Sequence, residues 1–137
     1  MKKTGFEIIL FLFLLIFSCT VERDIDIGHG YVLVRNAVND TGIVNENDHY
    51  IIYGHVVSYH LIPEFLIVAE RPRDSVPEAK GLPLKEKNRI FYSSDFIQYW
   101  IVENESKKKF GPYKLNRFKS VCDSLDISLD SFSPVYE

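Results

Sequence analysis

Four histidines, two cysteines, a run of three lysines and a series of tyrosines are the residues with chemistry to offer in this chain. His29, His49, His55 and His60 are the metal-ligating candidates. On an ideal strand His55 and His60 have opposite parity and point to opposite faces. His49 and His55 share parity but lie six residues apart, about 20 Å along a strand. Neither pair chelates one ion without a bend, and no HExxH or CxxC spacing occurs, so the histidines read as scattered strand and loop residues and no metal is expected. Cys122 falls on the apolar stripe of an expected helix, where a thiol serves as a small buried hydrophobe. Thiolate reactivity requires a basic, partly exposed setting, and Lys119 one turn away is the only neighbour on that helix to suggest it. No serine sits in a GxSxG elbow, and the carboxylates form no pair that spacing alone would place for acid–base work. No cofactor motif is present.

Lys107, Lys108 and Lys109 form the one concentrated positive run. At a hairpin tip such a run keeps a sheet edge from pairing with another chain. Its functional alternative is contact with anionic headgroups, glycans or an acidic partner. Tyr31, Tyr50, Tyr53, Tyr59, Tyr99, Trp100 and Tyr113 lie on or beside expected strands. Tyr and Trp combine apolar area with a polar handle, so an exposed subset would suit glycan or peptide binding, whereas buried ones are core and cross-strand pairs. Tyr99 and Trp100 alternate, so one of them faces the core and the other does not. Tyr99, Trp100, Tyr113 and Lys107–Lys109 are the binding candidates.

The elements that must position these residues are mostly strands. Tyr31–Arg35 is a short β-branched and aromatic run, and Ile43-Val44 is a short strand within an Asn-, Asp- and Gly-rich stretch. Tyr50–His60 is apolar on both faces and reads as one central strand bent at Gly54. Leu61–Glu64 turns it into Phe65–Arg71, an antiparallel hairpin that Pro72 stops. After a charged excursion, Pro83 opens a short helix to about Tyr92. Phe96–Val102 is a strong strand, Asn104–Lys108 a polar tip, and Lys109-Phe110 a short return that Gly111-Pro112 breaks. Leu115, Phe118, Val121, Cys122 and Leu125 form a single helical stripe of about three turns. Ile127, Leu129 and Phe132 follow in a tail strapped to the core. The fold expected is α+β: one antiparallel sheet of about five to seven strands with a C-terminal helix packed on one face.

The whole chain has 137 residues, 16 Lys+Arg against 19 Asp+Glu and a net charge of −3. That length fits one domain, and the charge balance argues against a nucleic-acid partner. Two different objects share these totals. Lys2 and Lys3 precede an uninterrupted apolar run from Ile8 to Phe17, which is half the roughly 20 residues of a bilayer-spanning helix and matches the h-region of an export signal. Ile16-Phe17-Ser18-Cys19 resembles a bacterial lipobox, with Phe17 bulkier than the usual residue at its position. The resemblance implies cleavage after Ser18 and lipidation (thioether-linked lipid and N-terminal palmitate) of Cys19. Residues 1–18 are then a signal peptide, 19–30 a lipidated cysteine and tether, and 31–137 a single domain. Loss of the signal removes Lys2, Lys3 and Glu7, leaving 14 basic against 18 acidic residues, a net −4. With Cys19 acylated, Cys122 has no disulfide partner and the fold must rest on its core.

Tyr99-Trp100-Ile101-Val102, a polar tip, Phe110-Gly111-Pro112-Tyr113 and an amphipathic helix carrying Phe118 occur in a recognisable order. With Ile51-Ile52-Tyr53-Gly54 and Phe65-Leu66-Ile67-Val68, they resemble small uncharacterised bacterial lipoproteins of a domain-of-unknown-function family over most of residues 30–127. Residues 98–126 are also similar to GYF-like adaptor modules, without their complete signature; that resemblance implies binding of proline-rich peptides through exposed aromatics. The function expected is a non-catalytic binding or interaction module in the bacterial cell envelope. It would be anchored to membrane lipid through Cys19, face away from the cytoplasm and engage a protein or glycan partner. The alternatives are a small extracytoplasmic hydrolase or metal-dependent enzyme using His55 or His60, and an immunity-type lipoprotein that blocks a toxin.

Overall fold

The computed structural model describes residues 24–35, 40–73, 81–130 and 133–134. Among the described residues nine strands and two helices run in the order β1 (Ile25–Gly28), β2 (Tyr31–Arg35), β3 (Thr41–Asn45), β4 (Tyr50–Ile52), β5 (His55–Leu61), β6 (Phe65–Arg71), α1 (Leu84–Ser93), β7 (Gln98–Glu103), β8 (Lys109–Tyr113), α2 (Leu115–Ser124) and β9 (Ser133–Pro134). The class is α+β, but the strands form two antiparallel sheets, not the single sheet expected. Sheet 1 has the order β1-β2-β3-β4 and sheet 2 the order β8-β7-β6-β5-β9.

Gly54 is the reason for the division. The run from Tyr50 to His60 reads as one strand, yet it leaves sheet 1 after Ile52 and enters sheet 2 at His55. At the crossing the Gly54 amide donates to the Glu70 carboxylate at 3.1 Å. A Cβ on Gly54 would lie 2.4 Å from Glu70 Oε2 and 3.1 Å from the Arg71 carbonyl oxygen, so only glycine lets the backbone pass this close. The apolar residues on both faces of the run follow from its serving two sheets.

Two cores result, one on each face of sheet 2. Tyr31, Leu33, Ile43 and Ile52 of sheet 1 pack on Val56, Leu66, Val68 and Val102 of sheet 2. On the other face Ile67 and Ile101 pack with Phe118 and Cys122 of α2 and with Ile127. The alternation of β6 makes this possible: Leu66 and Val68 face sheet 1, while Ile67 faces α2. Each fully buried aliphatic side chain contributes about 1.5–3 kcal/mol, and a ten-residue helix gains its stability from such packing. Asp126 adopts a left-handed φ of 56° just beyond α2, and the Ile127 amide donates back to the Cys122 carbonyl at 2.9 Å, ending the helix and turning Ile127 into the core.

Three local expectations change. The segment read as a tether contains β1, which pairs with β2 through a two-residue turn at His29-Gly30, with φ of 52° and 72°. Two consecutive positive φ values match the right-handed twist of a hairpin. Gly111-Pro112 does not end β8; the strand continues to Tyr113 across a register shift between Tyr99 and Ile101. The tail adds Ser133–Pro134 to the edge of β5. Leu129 packs against the α2 core as expected, whereas Phe132 lies outside the described residues.

Candidate functional site

The residues singled out by sequence fall into two groups. Tyr99 and Trp100 point to opposite faces of β7. Tyr99 stacks on Phe118 of α2 with ring centroids 4.5 Å apart and planes 15° apart, and it pairs across strands with Tyr113. Tyr113 lines an open cavity of about 350 Å³ with Phe96, Pro112 and Lys114. Trp100 faces sheet 1, where its indole N–H donates to Glu70 Oε1 at 2.6 Å.

The lysine tip folds back onto the protein. Lys107 Nζ donates to the His29 carbonyl and sits 3.9 Å from the centre of the Tyr31 ring. Lys109 Nζ donates to the Ile51 carbonyl at 3.0 Å and sits 4.3 Å from the Trp100 ring. Lys108, between them, points the other way, 5.1 Å from the Phe110 ring. Cation–π contact of this kind contributes about 0.5–1 kcal/mol at exposed sites. The tip therefore ties the β7–β8 hairpin to both ends of sheet 1, a role that periodicity does not reveal because the ring partners lie on distant strands.

A buried polar cluster lies where the chain passes between the sheets; the sequence marks His55 and Trp100 in it, but not their carboxylate partners Asp40 and Glu70. His55 is 2% exposed, and its Nδ1 lies 3.2 Å from Asp40 Oδ1. A carboxylate only accepts, so Nδ1 carries the proton. The other Asp40 oxygen pairs with Arg73 Nη2 at 2.5 Å. The Thr41 hydroxyl donates to the Val56 carbonyl at 2.9 Å, which commits its hydrogen elsewhere than to His55. Phe91 and Tyr92 of α1 stand edge-to-face against the imidazole, 6.0 and 5.2 Å away. Glu70, 5% exposed, receives N–H groups from Gly54, Gln98 and Trp100, the last two at 2.5 and 2.6 Å. Three donors satisfy this buried carboxylate without a cation.

An Asp–His pair is the arrangement that holds an imidazole as a general base. Here the ring is closed off by α1, and the adjacent hydroxyl is engaged with backbone. His55 and His60 cannot share an ion: they are five residues apart on β5, about 16 Å at the usual rise, and His55 is buried. The bulge between Val56 and Ser58 interrupts the simple parity rule between them. Among the described residues no group of three or more His, Cys, Asp or Glu is placed to hold a metal. Cys122 is fully buried, and burial, with a smaller push from Asp123, raises its thiol to about 11. Such a thiol is a packing group.

With this geometry in view, a family model described as a protein of unknown function (DUF3997) matches residues 28–131. The chain belongs to the DUF3997 family. In this DUF3997 protein the matched span runs from the end of β1 through both sheets and α2, so the family pattern coincides with the two-core unit. No curated protein and no solved structure matches the chain. Among the described residues no helix is long and apolar enough to cross a membrane.

Proposed function

We propose that this DUF3997 protein is an extracytoplasmic bacterial lipoprotein, anchored through Cys19 and acting as a non-catalytic binding module. The observation that carries the reading is the order along the chain: an apolar run ending in Ile16-Phe17-Ser18-Cys19, then the first strand of the folded unit only six residues later, at Ile25. Six residues span at most about 20 Å, so the lipid would hold the domain close to the bilayer. Several acyl chains make such anchoring stable, since burial contributes about 0.8 kcal/mol per CH₂. Within the binding reading, Tyr113 with its adjoining cavity and the exposed Lys108 and Lys109 are the members of the expected set that a partner reaches first. Tyr99, stacked on Phe118, would support Tyr113 from beneath, while Trp100 and Lys107 are turned toward sheet 1. The test of anchoring is metabolic labelling with palmitate in a bacterial host. Wild type incorporates label and matures to an N-terminal Cys19, Cys19→Ser does neither, and an unlabelled wild type would refute the anchor.

The contact between Asp40 and His55 favours a second reading, a hydrolase whose general base works after α1 lifts away. Ester and amide turnover by the purified chain that disappears in His55→Ala, with the variant still folded, would establish it.

A further inference from the structure

Helix α1 covers the Asp40–His55 pair without being built into either core. It has the same ten residues as α2, yet none of its side chains is fully buried, whereas α2 commits Phe118 and Cys122. Leu84 at its start is 74% exposed and Tyr92 near its end 38%. Pro83 gives the first turn no side-chain cap, and no basic residue stands in the last turn. A helix of this length is marginal alone and takes its stability from packing, of which α1 has little. It is bounded by Gly81, exposed and at a left-handed φ of 85°, and by Ser94, where the backbone is extended again. Positions of this kind serve as hinges.

The contacts that dock α1 converge on its last turn. Phe91 and Tyr92 meet the imidazole edge-to-face. The Arg71 guanidinium lies 5.8 Å from the centre of the Phe91 ring, and its Nε donates to the Ser94 carbonyl at 3.0 Å. The pair beneath is held from elsewhere. Asp40 lies beside His55 Nδ1, Arg73 grips Asp40, and the Thr41 hydroxyl donates to the Val56 carbonyl, which ties the start of β3 and β5 to the end of β6. These bonds do not run through α1, so they persist when the helix departs.

We infer that α1 is a lid: it leaves the body as a unit while both sheets stay folded, and its opening admits solvent and small reagents to His55. Such an opening lies, in free energy, between the fraying of a terminus and global unfolding. With the proton on Nδ1, Nε2 carries the lone pair that an acylating reagent meets. The inference goes beyond the hydrolase reading, which needs this opening and a substrate besides. Absence of turnover leaves the lid standing, whereas absence of opening removes both.

The test acylates the folded full chain, in a non-ionic detergent, with diethyl pyrocarbonate and follows each histidine by peptide mass mapping. The exposed His29 and His49 give the rate of an open imidazole. The ratio of the His55 rate to theirs reads the fraction of molecules with the lid open. It should exceed the globally unfolded fraction, obtained from urea denaturation of the same sample, at least about tenfold. Amide exchange at Ile90–Tyr92 should give the same fraction within about threefold, and amides of β6 and β7 should be at least about tenfold better protected. Phe91→Ala removes ring contacts with His55 and Arg71 and should raise the His55 rate about tenfold. Cys122→Ala loosens the core on the far face of sheet 2; it should speed exchange in β6 and β7 and leave the His55 rate within about twofold of wild type. A His55 rate no greater than global unfolding supplies, or one that rises in step with β6 and β7 exchange in Cys122→Ala, would overturn the inference. So would α1 amides that exchange together with β6 and β7, or a Phe91→Ala chain in which His55 reacts no faster.

Discussion

At Gly54 a single missing methyl group decides whether the chain can change sheets. Gly54→Ala would force its Cβ against Glu70 Oε2 and disturb a carboxylate that already serves Gln98 and Trp100. Overpacking and a strained buried hydrogen bond each cost about 1–3 kcal/mol, so urea denaturation should show a loss of at least about 2 kcal/mol. Cys122 gives the second prediction at this scale. Its thiol is held neutral by burial, with a folded value of about 11 against an ordinary 9.0. The folded state therefore binds more protons than the unfolded state between these values. The stability this contributes is complete below about pH 9 and is lost as pH rises toward 11, a change of roughly 2–3 kcal/mol. Cys122→Ala should flatten that part of the alkaline stability profile while lowering stability at neutral pH. Parts of this scale were legible beforehand: the stripe position of Cys122 indicates burial. The Asp40–His55–Arg73 contacts were not legible, because they join residues brought together only by the passage between sheets.

Among the elements, the β7–β8 hairpin does more than present charge. Lys107 and Lys109 reach sheet 1 from one side of the tip, and Lys108 covers Phe110 on the other. Lys109→Ala removes a hydrogen bond to Ile51 and a cation–π contact with Trp100, and should cost about 1–2 kcal/mol in thermal or urea denaturation. Lys108→Ala should cost at most about 0.5 kcal/mol, since it loses an exposed contact with the Phe110 ring and no hydrogen bond to sheet 1. Local patterns placed a strand at Phe65–Arg71 and another at Phe96–Val102, which the structure has as Gln98–Glu103; Pro83 marked the start of α1, and the apolar stripe from Leu115 to Leu125 marked α2. Periodicity merged β4 with β5 because one apolar run serves two sheets, and it missed β1 because His29-Gly30 reads as a flexible stretch until its positive φ values mark a hairpin turn.

Over the whole molecule, β6 and β7 are shared by both cores, with alternate residues committed to sheet 1 and to α2. The layers are therefore coupled through the strands themselves. Phe118→Ala removes the ring on which Tyr99 stacks and should cost about 3–5 kcal/mol. Because Ile67 and Ile101 alternate with Leu66 and Val102 on the same strands, the loss should appear equally in amide exchange of β2 and β3, which Phe118 does not belong to. Faster exchange confined to α2, β7 and β8 would show instead that the two cores open separately.

The doubly held tip has a consequence for how the folded chain resists proteolysis. Three consecutive lysines on a hairpin normally invite cleavage by enzymes that recognise a basic side chain in an extended segment. In this fold two of the three recognised groups are occupied: the ammonium groups of Lys107 and Lys109 grip the His29 and Ile51 carbonyl oxygens and rest over the Tyr31 and Trp100 rings. A protease must detach them before it can bind the bond to be cut, so the most basic stretch of the described chain is shielded by its own charge.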